Sequence, residues 1–451
     1  MNNSARRLLY PDLTKDRILH SLLAFTIPIM FAYLFQQLYH AADTVIVGHF
    51  LGENALGAVG ACTAVFELLV GFGNGFGVGL GILAAKSYGA KDEYLLKKAA
   101  AASVILTVCI SAVIMLAGHF GLRPLLRLLG TPAEIIDAAH KYIWRIAIFS
   151  GVLFGYNLLG SLLRAIGNSI VPLFFLIVSS VLNVLIDIVL IKTFGMGIEG
   201  TAAATVIAQA ICIILCLIYI LRKANILIPR AQHFRFDGQL YRSLVEHGLS
   251  MALMSAFVSV GSIILQSAIN RFGTMIIAGH ICARTIFMVS IIPLSALALS
   301  SATFVSQNLG AGRIDRIKSG VRMSWLLCIV WGALCTIVLP LTARPLIRLL
   351  SGSQDSNLLS YAVKYICFMQ PFYAVLGILL VTRNSLQGLG EKVLPIVSSI
   401  IELVGKMLFT WLIIPILGLW GIILAEPLIW VAMTVQLEIS YYKSLEHFST
   451  E

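Results

Sequence analysis

The strongest constraint in the sequence is a series of long apolar segments, each near the ~20 residues that an α-helix needs to cross a bilayer. Hydrophobic residues make up 59% of the chain and charged residues only 12%, against about 25% charged in a typical soluble domain. The pattern predicts an all-α integral membrane protein with twelve transmembrane helices. We place these spans at residues 18–46, 55–85, 96–119, 139–164, 169–192, 201–221, 243–270, 277–305, 320–341, 361–386, 392–415 and 420–442.

Lys and Arg residues are distributed unequally between the two sides that these spans define. Segments on the side of the N-terminus contain 21 of the 32, and the opposite loops and helix ends contain nine. Cytoplasmic loops are enriched in Lys and Arg, so both termini are predicted to be cytoplasmic. This topology accounts for the net charge of +11, and there is no basic domain outside the spans that would favour nucleic acid as a partner.

One polar, basic segment divides the chain into two sets of six spans. It covers residues 222–242 and contains Pro229. We therefore predict an N-terminal lobe at 1–221, a cytoplasmic linker at 222–242 and a C-terminal lobe at 243–451.

The two lobes carry the same short landmarks, which indicates an internal duplication. Residues 87–90 (SYGA) resemble 308–311 (NLGA), 221 positions later, and 163–167 (LRAIG) resemble 386–390 (LQGLG), 223 positions later. Because six is an even number of spans, both repeats have the same orientation in the membrane. We expect a pseudo-two-fold axis along the membrane normal, with a cleft between the lobes.

Ionisable residues inside the spans are informative, because a charge in the membrane is costly unless it is paired or functional. The helical rise of 1.5 Å per residue sets the depth of each such residue along its predicted helix. Two neighbouring buried carboxylates resist joint ionisation, so at least one would bind a proton or a cation. This predicts a cation-coupling site; a polar cluster that only joins helices is the alternative. The candidate residues share one depth near the outer side of the N-terminal lobe: Asp43, Tyr142, Asn183, Asp187 and Thr205.

The C-terminal lobe carries a different set of charges. Glu402 and Lys406 are four residues apart and so share one face of the eleventh span. They either neutralise each other, or Glu402 faces the cleft and attracts a cationic substrate. Arg284, inside the eighth span, is an alternative partner for Glu402.

Three further polar residues are weaker candidates. Gln36 either lines the cleft or only packs, and we expect Glu67 and Glu426 near helix ends. No zinc-protease HExxH, phosphate-binding Walker loop or CxxC pair is present in the sequence. We therefore expect neither an enzyme nor an ATP-driven pump, and no cofactor.

These residues resemble the multidrug and toxic compound extrusion (MATE) family, in its DinF-like branch, over nearly the whole chain. The first span, from Pro28 through Gln36 to Asp43, is similar to the family's opening, and residues 163–167 resemble its turn between helices four and five. Asn183 and Asp187 match the branch's Asn-x-x-x-Asp, and residues 200–205 (GTAAAT) match the start of its sixth helix.

The resemblance implies roles for several residues. A proton- or sodium-responsive network would consist of the same five residues, with Asp43, Asn183, Asp187 and Thr205 as the ligands if the ion is sodium. Pro28 occupies the place where the family's first helix bends. The other bacterial branch has an acidic cation site on helices seven and ten, but residues 249–269 and 366–385 contain no acid. We therefore do not expect a sodium site in the C-terminal lobe.

The sequence thus predicts a secondary active transporter. It would export amphipathic, often cationic organic compounds by alternating access, in exchange for protons and/or sodium. We expect a monomer in the plasma (inner) membrane of a prokaryote, with membrane lipid and small organic molecules as its partners. One rival is a lipid-linked oligosaccharide flippase of the same superfamily, which would favour a strongly basic cleft. A second rival, a non-transporting receptor or scaffold, would have no reason to bury two carboxylates in one lobe.

Overall fold

The computed structural model describes residues 11–450, so Arg6 and Arg7 of the basic tail lie outside the described residues. The described part of the chain is helical and contains no β-strand. Its first half forms seven α-helices: α1 (Ile18–Leu51), α2 (Glu53–Gly89), α3 (Glu93–Leu128), α4 (Ile136–Ile148), α5 (Ser150–Ala165), α6 (Ile170–Lys192) and α7 (Ile198–Lys223).

The second half repeats this order with more interruptions. Its helices are α8 (Gly238–Ile269), α9 (Thr274–Ser290), α10 (Ile292–Gly310), α11 (Ile314–Ser351), α12 (Ser356–Met369), α13 (Tyr373–Leu389), α14 (Val393–Leu408), α15 (Ile414–Leu417) and α16 (Leu419–Thr450). A π-helical turn, Phe409–Ile413, joins α14 to α15, and a 3₁₀ turn, Gln370–Phe372, joins α12 to α13.

Twelve membrane spans account for these helices. Ten are long and apolar enough to cross a bilayer, and two bent pairs complete the number, α4 with α5 at 49° and α9 with α10 at 41°. Each span overlaps one of the twelve predicted from the apolar segments, so the predicted fold class is confirmed.

The chain packs as two compact units. The first unit is Phe31–Ser255, and the second is the chain from Ala256 onward together with the segment that ends at Met30. Helices α1 and α8 are therefore each shared between units. The segment between α7 and α8 belongs to the first unit, where Asp237 Oδ2 lies 2.8 Å from Lys98 Nζ. The lobe limits at 221 and 243 remain predictions.

Left-handed backbone turns recur at the same places in both halves. Ten described residues have a positive φ, and they form five pairs separated by 221 to 223 residues. Nine are glycines, which adopt this conformation without steric cost; Lys91 is the exception. The pairs are Gly52 and Gly273, Lys91 and Gly312, Gly130 and Gly352, Gly167 and Gly390, and Gly195 and Gly418. The duplication inferred from two sequence landmarks thus extends to every turn of this kind in residues 11–450.

Helix α2 is packed closely on two sides by two interleaved sets of glycines. Because residues four apart share a helix face, each set presents one face. The set against α5 consists of Gly73, Gly77 and Gly81, and the set against α8 consists of Gly71, Gly75 and Gly79. Small residues of this spacing let helix backbones approach closely in membranes.

We expect Gly75→Ala to destabilise the first unit by about 1–3 kcal/mol, the usual range for overpacking. The added Cβ would lie 2.6 Å from the carbonyl oxygen of Met251, and a backbone atom on α8 cannot rotate away. Gly60→Ala, on the same helix with nothing within 4 Å of its added Cβ, is the matched control. Thermal unfolding in detergent compares the two variants, and an equal effect of both would contradict the close packing.

Candidate functional site

A cavity of about 240 Å³ lies within the first unit, between α1, α2, α4 and α7. Asp43, Tyr142 and Thr205 line it. Asn183 and Asp187, on α6, are buried, with 2% and 0% of their surfaces exposed. The five residues predicted from depth therefore come together: three face the cavity and two are buried beside it.

The Asn183 amide forms hydrogen bonds with two of the other four residues, Asp43 and Thr205. When its nitrogen faces the carboxylate, Nδ2 donates a hydrogen bond to Asp43 Oδ1 at 2.7 Å. Its oxygen then lies 3.2 Å from the backbone nitrogen of Thr205 and 3.3 Å from Thr205 Oγ1. This orientation satisfies both ends of the amide, whereas the opposite one would place its oxygen against the carboxylate. Helices α1, α6 and α7 are thereby connected through one side chain.

Asp187 has a different environment. Both of its carboxyl oxygens are buried, and no hydrogen-bond donor among the described residues reaches either one. The group that faces Asp187 is the carboxyl of Asp43. Two ionised carboxylates can only accept hydrogen bonds, so this contact becomes a hydrogen bond only when one of the two carries a proton.

Sequence reasoning missed several residues at this site. Tyr39 and His40 also line the cavity. Tyr39 lies four residues before Asp43 on α1, so helical spacing alone could have identified it. Gln37 lines the cavity as well. Gln36 was predicted for the cleft between the lobes, and that remains a prediction.

The second unit contains two ion pairs whose carboxylates are buried. Arg284 Nη1 lies 2.8 Å from each carboxyl oxygen of Glu426, and the Tyr365 hydroxyl lies 3.2 Å from Oε2 of the same residue. Lys406 Nζ donates to Glu402 Oε1 at 2.8 Å and to Ser262 Oγ at 3.1 Å. Arg284 therefore pairs with Glu426 rather than Glu402. Glu426 is 4% exposed and stands two turns inside α16, away from the helix end where we expected it.

The two units differ in how they compensate buried carboxyl groups. At the 223-residue offset of Gly167 and Gly390, the position equivalent to Asn183 holds Lys406. Glu402 and Glu426 each face a cation at 2.8 Å. Asp43 and Asp187 face each other, and the described residues supply no cation within 4 Å of either carboxylate. Of these four described carboxyl groups, the two in the first unit therefore form a pair that needs an external positive charge.

Helix α1 reaches this site from the second unit. Its first turns belong to that unit, where Thr26 Oγ1 donates to Ser300 Oγ at 2.8 Å, and the division between units falls after Met30. Pro28 lies two residues before this division. Proline removes one backbone hydrogen bond from a helix and clashes with the preceding turn, which weakens the helix at that point.

Comparison with known proteins gives one consistent result. A sequence profile of the MatE family matches the chain twice, at residues 28–189 and 250–412, so the second match begins 222 residues after the first. The probable multidrug resistance protein YoeA of Bacillus subtilis (strain 168) is 26% identical over 434 residues, covering 93% of each chain. The multidrug export protein MepA of Staphylococcus saprophyticus is 22% identical over 419 residues, covering 92% of each.

The fold also has close counterparts among solved structures. One, described as the outward-facing conformation of a multidrug resistance MATE family transporter of the MOP superfamily, superposes with a TM-score of 0.90. It shares 20% sequence identity, and the match covers 98% of this chain and 99% of that one. The likeness supports the fold; assignment to the DinF-like branch remains a prediction.

Proposed function

Because the chain belongs to the MatE family of membrane transporters, we propose that it is a proton-coupled antiporter that exports amphipathic, often cationic organic compounds. The observation that carries this proposal is the Asp43–Asp187 pair. Two carboxyl groups in contact, one buried and one lining the cavity, with no cation from the described residues beside them, form a site that gains or loses a proton readily. The printed names of the relatives, multidrug resistance and multidrug export proteins, support the choice of substrate class.

The direction of the Asn183 amide favours a proton over sodium as the coupling ion. Sodium would need several oxygen ligands around it, and the amide oxygen would have to turn toward the carboxylates. When the amide is assigned from its hydrogen-bond partners with no ion bound, its nitrogen donates to Asp43 and its oxygen accepts from Thr205. A donor in that position supports one ionised carboxylate while its neighbour carries the proton.

The transport cycle exchanges one positive charge for another. Proton binding at the pair removes one of its two negative charges and favours the state that releases the substrate outside. Loss of the proton restores the second negative charge, which favours the state that accepts the substrate from the cytoplasm or the inner leaflet. The proton and the substrate drive transport because each binds preferentially to a different conformational state.

Helix α1 is the element that transmits this change. It carries Asp43 in the first unit, while its first turns pack in the second unit. Bending at Pro28 would move the Asp43 end of the helix relative to its anchored start. Hinges of this kind absorb a large backbone change at a few residues.

We place the transporter as a monomer in the plasma membrane of a prokaryote, with both termini cytoplasmic. The distribution of Lys and Arg supports this orientation. The pair would then receive its proton from outside, because Asp43 lies far along a helix that starts on the cytoplasmic side.

Transport in reconstituted vesicles, with each ion gradient imposed separately, tests the proposed function. We expect a fluorescent cationic dye to move only when a proton gradient is present. Movement driven by a sodium gradient alone would overturn the choice of ion. Absence of dye movement under both gradients, with dye binding intact, would overturn the antiport.

A further inference from the structure

A second cavity lies entirely within the second unit, between the start of α11 and the end of α16. Its volume is about 380 Å³, and we name it the α11–α16 pocket. Three residues of α11 and four of α16 line it: Lys318, Arg322 and Trp325 on α11, and Tyr441, Tyr442, Leu445 and Glu446 on α16. It is separate from the Asp43–Asp187 site, since it shares no residue with that cavity.

The pocket presents polar groups suited to an anionic ligand. Arg322 is exposed and lines the pocket. Tyr441 is only 2% exposed, yet its hydroxyl has no hydrogen-bond partner within the described part of the chain. Buried hydroxyl groups normally find a partner, so this one points to a ligand. Lys318 and Glu446 add one charge of each sign.

Aromatic rings form the wall of the pocket. Trp325 and Tyr441 meet edge to face, with ring centroids 5.8 Å apart, and Tyr442 is half exposed. The indole nitrogen of Trp325 donates to Thr382 Oγ1 at 3.0 Å, so its partner is already provided within the protein. Trp and Tyr are enriched at membrane interfaces, where the aromatic ring lies among the lipid acyl chains and its polar end reaches the headgroups.

Apolar surface continues from the pocket toward the middle of both helices. Leu326 is one turn beyond Arg322 and is 52% exposed, and Ile329 is 47% exposed. On α16, Ile439 and Val435 are 54% and 55% exposed. A free phosphate ion would use only the polar end of this surface. A phospholipid would use both parts, with its phosphate in the pocket and its acyl chains along the exposed residues.

We propose that the α11–α16 pocket binds the phosphate headgroup of a phospholipid of the cytoplasmic leaflet. Arg322 pairs with the phosphate, and the Tyr441 hydroxyl donates a hydrogen bond to it. Basic pockets between transmembrane helices on the cytoplasmic side are suited to anionic headgroups. The choice of leaflet rests on the predicted orientation; the site itself does not depend on the coupling mechanism.

Native mass spectrometry of the full-length protein tests the proposal, with phosphatidylglycerol, phosphatidylethanolamine and inorganic phosphate as separate probes. We expect one phosphatidylglycerol to bind more tightly than the others. Arg322→Gln should weaken it about tenfold, as for the loss of a charge-assisted hydrogen bond, and Tyr441→Phe should weaken it about threefold. The matched control is Arg348→Gln, which changes an exposed arginine at the other end of α11. It should leave the affinity for the first phosphatidylglycerol unchanged.

Three results would overturn the proposal. The first is unchanged phosphatidylglycerol binding in both pocket variants. The second is an equal loss in Arg348→Gln, which would indicate a general charge effect. The third is full competition by inorganic phosphate at equal affinity, which would indicate an anion site without a lipid. The proposed antiport can fail while this binding remains, because the pocket contains no residue of the carboxyl pair.

Discussion

Replacing Asp187 with Asn is expected to reduce proton-driven drug export to the level of protein-free vesicles, because the site can no longer exchange a proton for drug. Asn has nearly the shape of a protonated Asp but cannot ionise. The variant would therefore hold position 187 permanently in the form that carries its proton. Its fold should persist, because the side chain it replaces already lacks a donor from the described residues.

The matched control for this substitution is Asp137→Asn, which makes the same chemical change at an exposed position. Asp137 pairs with Arg123 at 2.7 Å, and its side chain is 72% exposed. We expect this control to transport like the wild type. Proton-driven export by Asp187→Asn at more than half the wild-type rate would show that Asp187 does not couple transport.

Replacing Glu426 with Gln should lower the free energy of unfolding by about 3–5 kcal/mol, the usual loss when one partner of a buried ion pair is removed. The substitution leaves the Arg284 guanidinium without its carboxylate, and arginine cannot shed its proton to escape the penalty. Denaturant or thermal unfolding in detergent measures the change.

Two further variants separate this effect from a general loss of packing. Glu426→Gln combined with Arg284→Met should recover most of the lost stability, because no uncompensated charge remains. Asp137→Asn, which breaks an exposed pair, should cost less than about 1 kcal/mol. A Glu426→Gln loss no larger than that of the exposed control would contradict the structural role of the buried pair.

The number of spans and the composition of the candidate site could be predicted from the sequence because both depend on local regularities. The length of each apolar segment predicts a membrane span. Helical rise brought Asp43 and Asp187 to one depth, although they are 144 residues apart in the chain. Asn183 followed from spacing, since it shares a helix face with Asp187.

Other features depend on contacts that no local pattern encodes. The partner of Arg284 could not be chosen from sequence, because Glu402 and Glu426 are both acids in spans of the same lobe, and only packing brings Glu426 within 2.8 Å. The direction assigned to the Asn183 amide depends on Asp43 and Thr205, which lie on two other helices.

Proton release on substrate binding tests the central claim, that the Asp43–Asp187 pair exchanges a proton for drug. The measurement uses detergent-solubilised protein in weak buffer with a pH-sensitive dye, and substrate binding is followed in parallel. We predict that the wild type releases about one proton per bound substrate, because only one of two adjacent carboxyl groups holds a proton, and that Asp43→Asn and Asp187→Asn bind substrate without releasing any. Substrate binding by the wild type with no proton release, or wild-type release from either variant, would contradict the account.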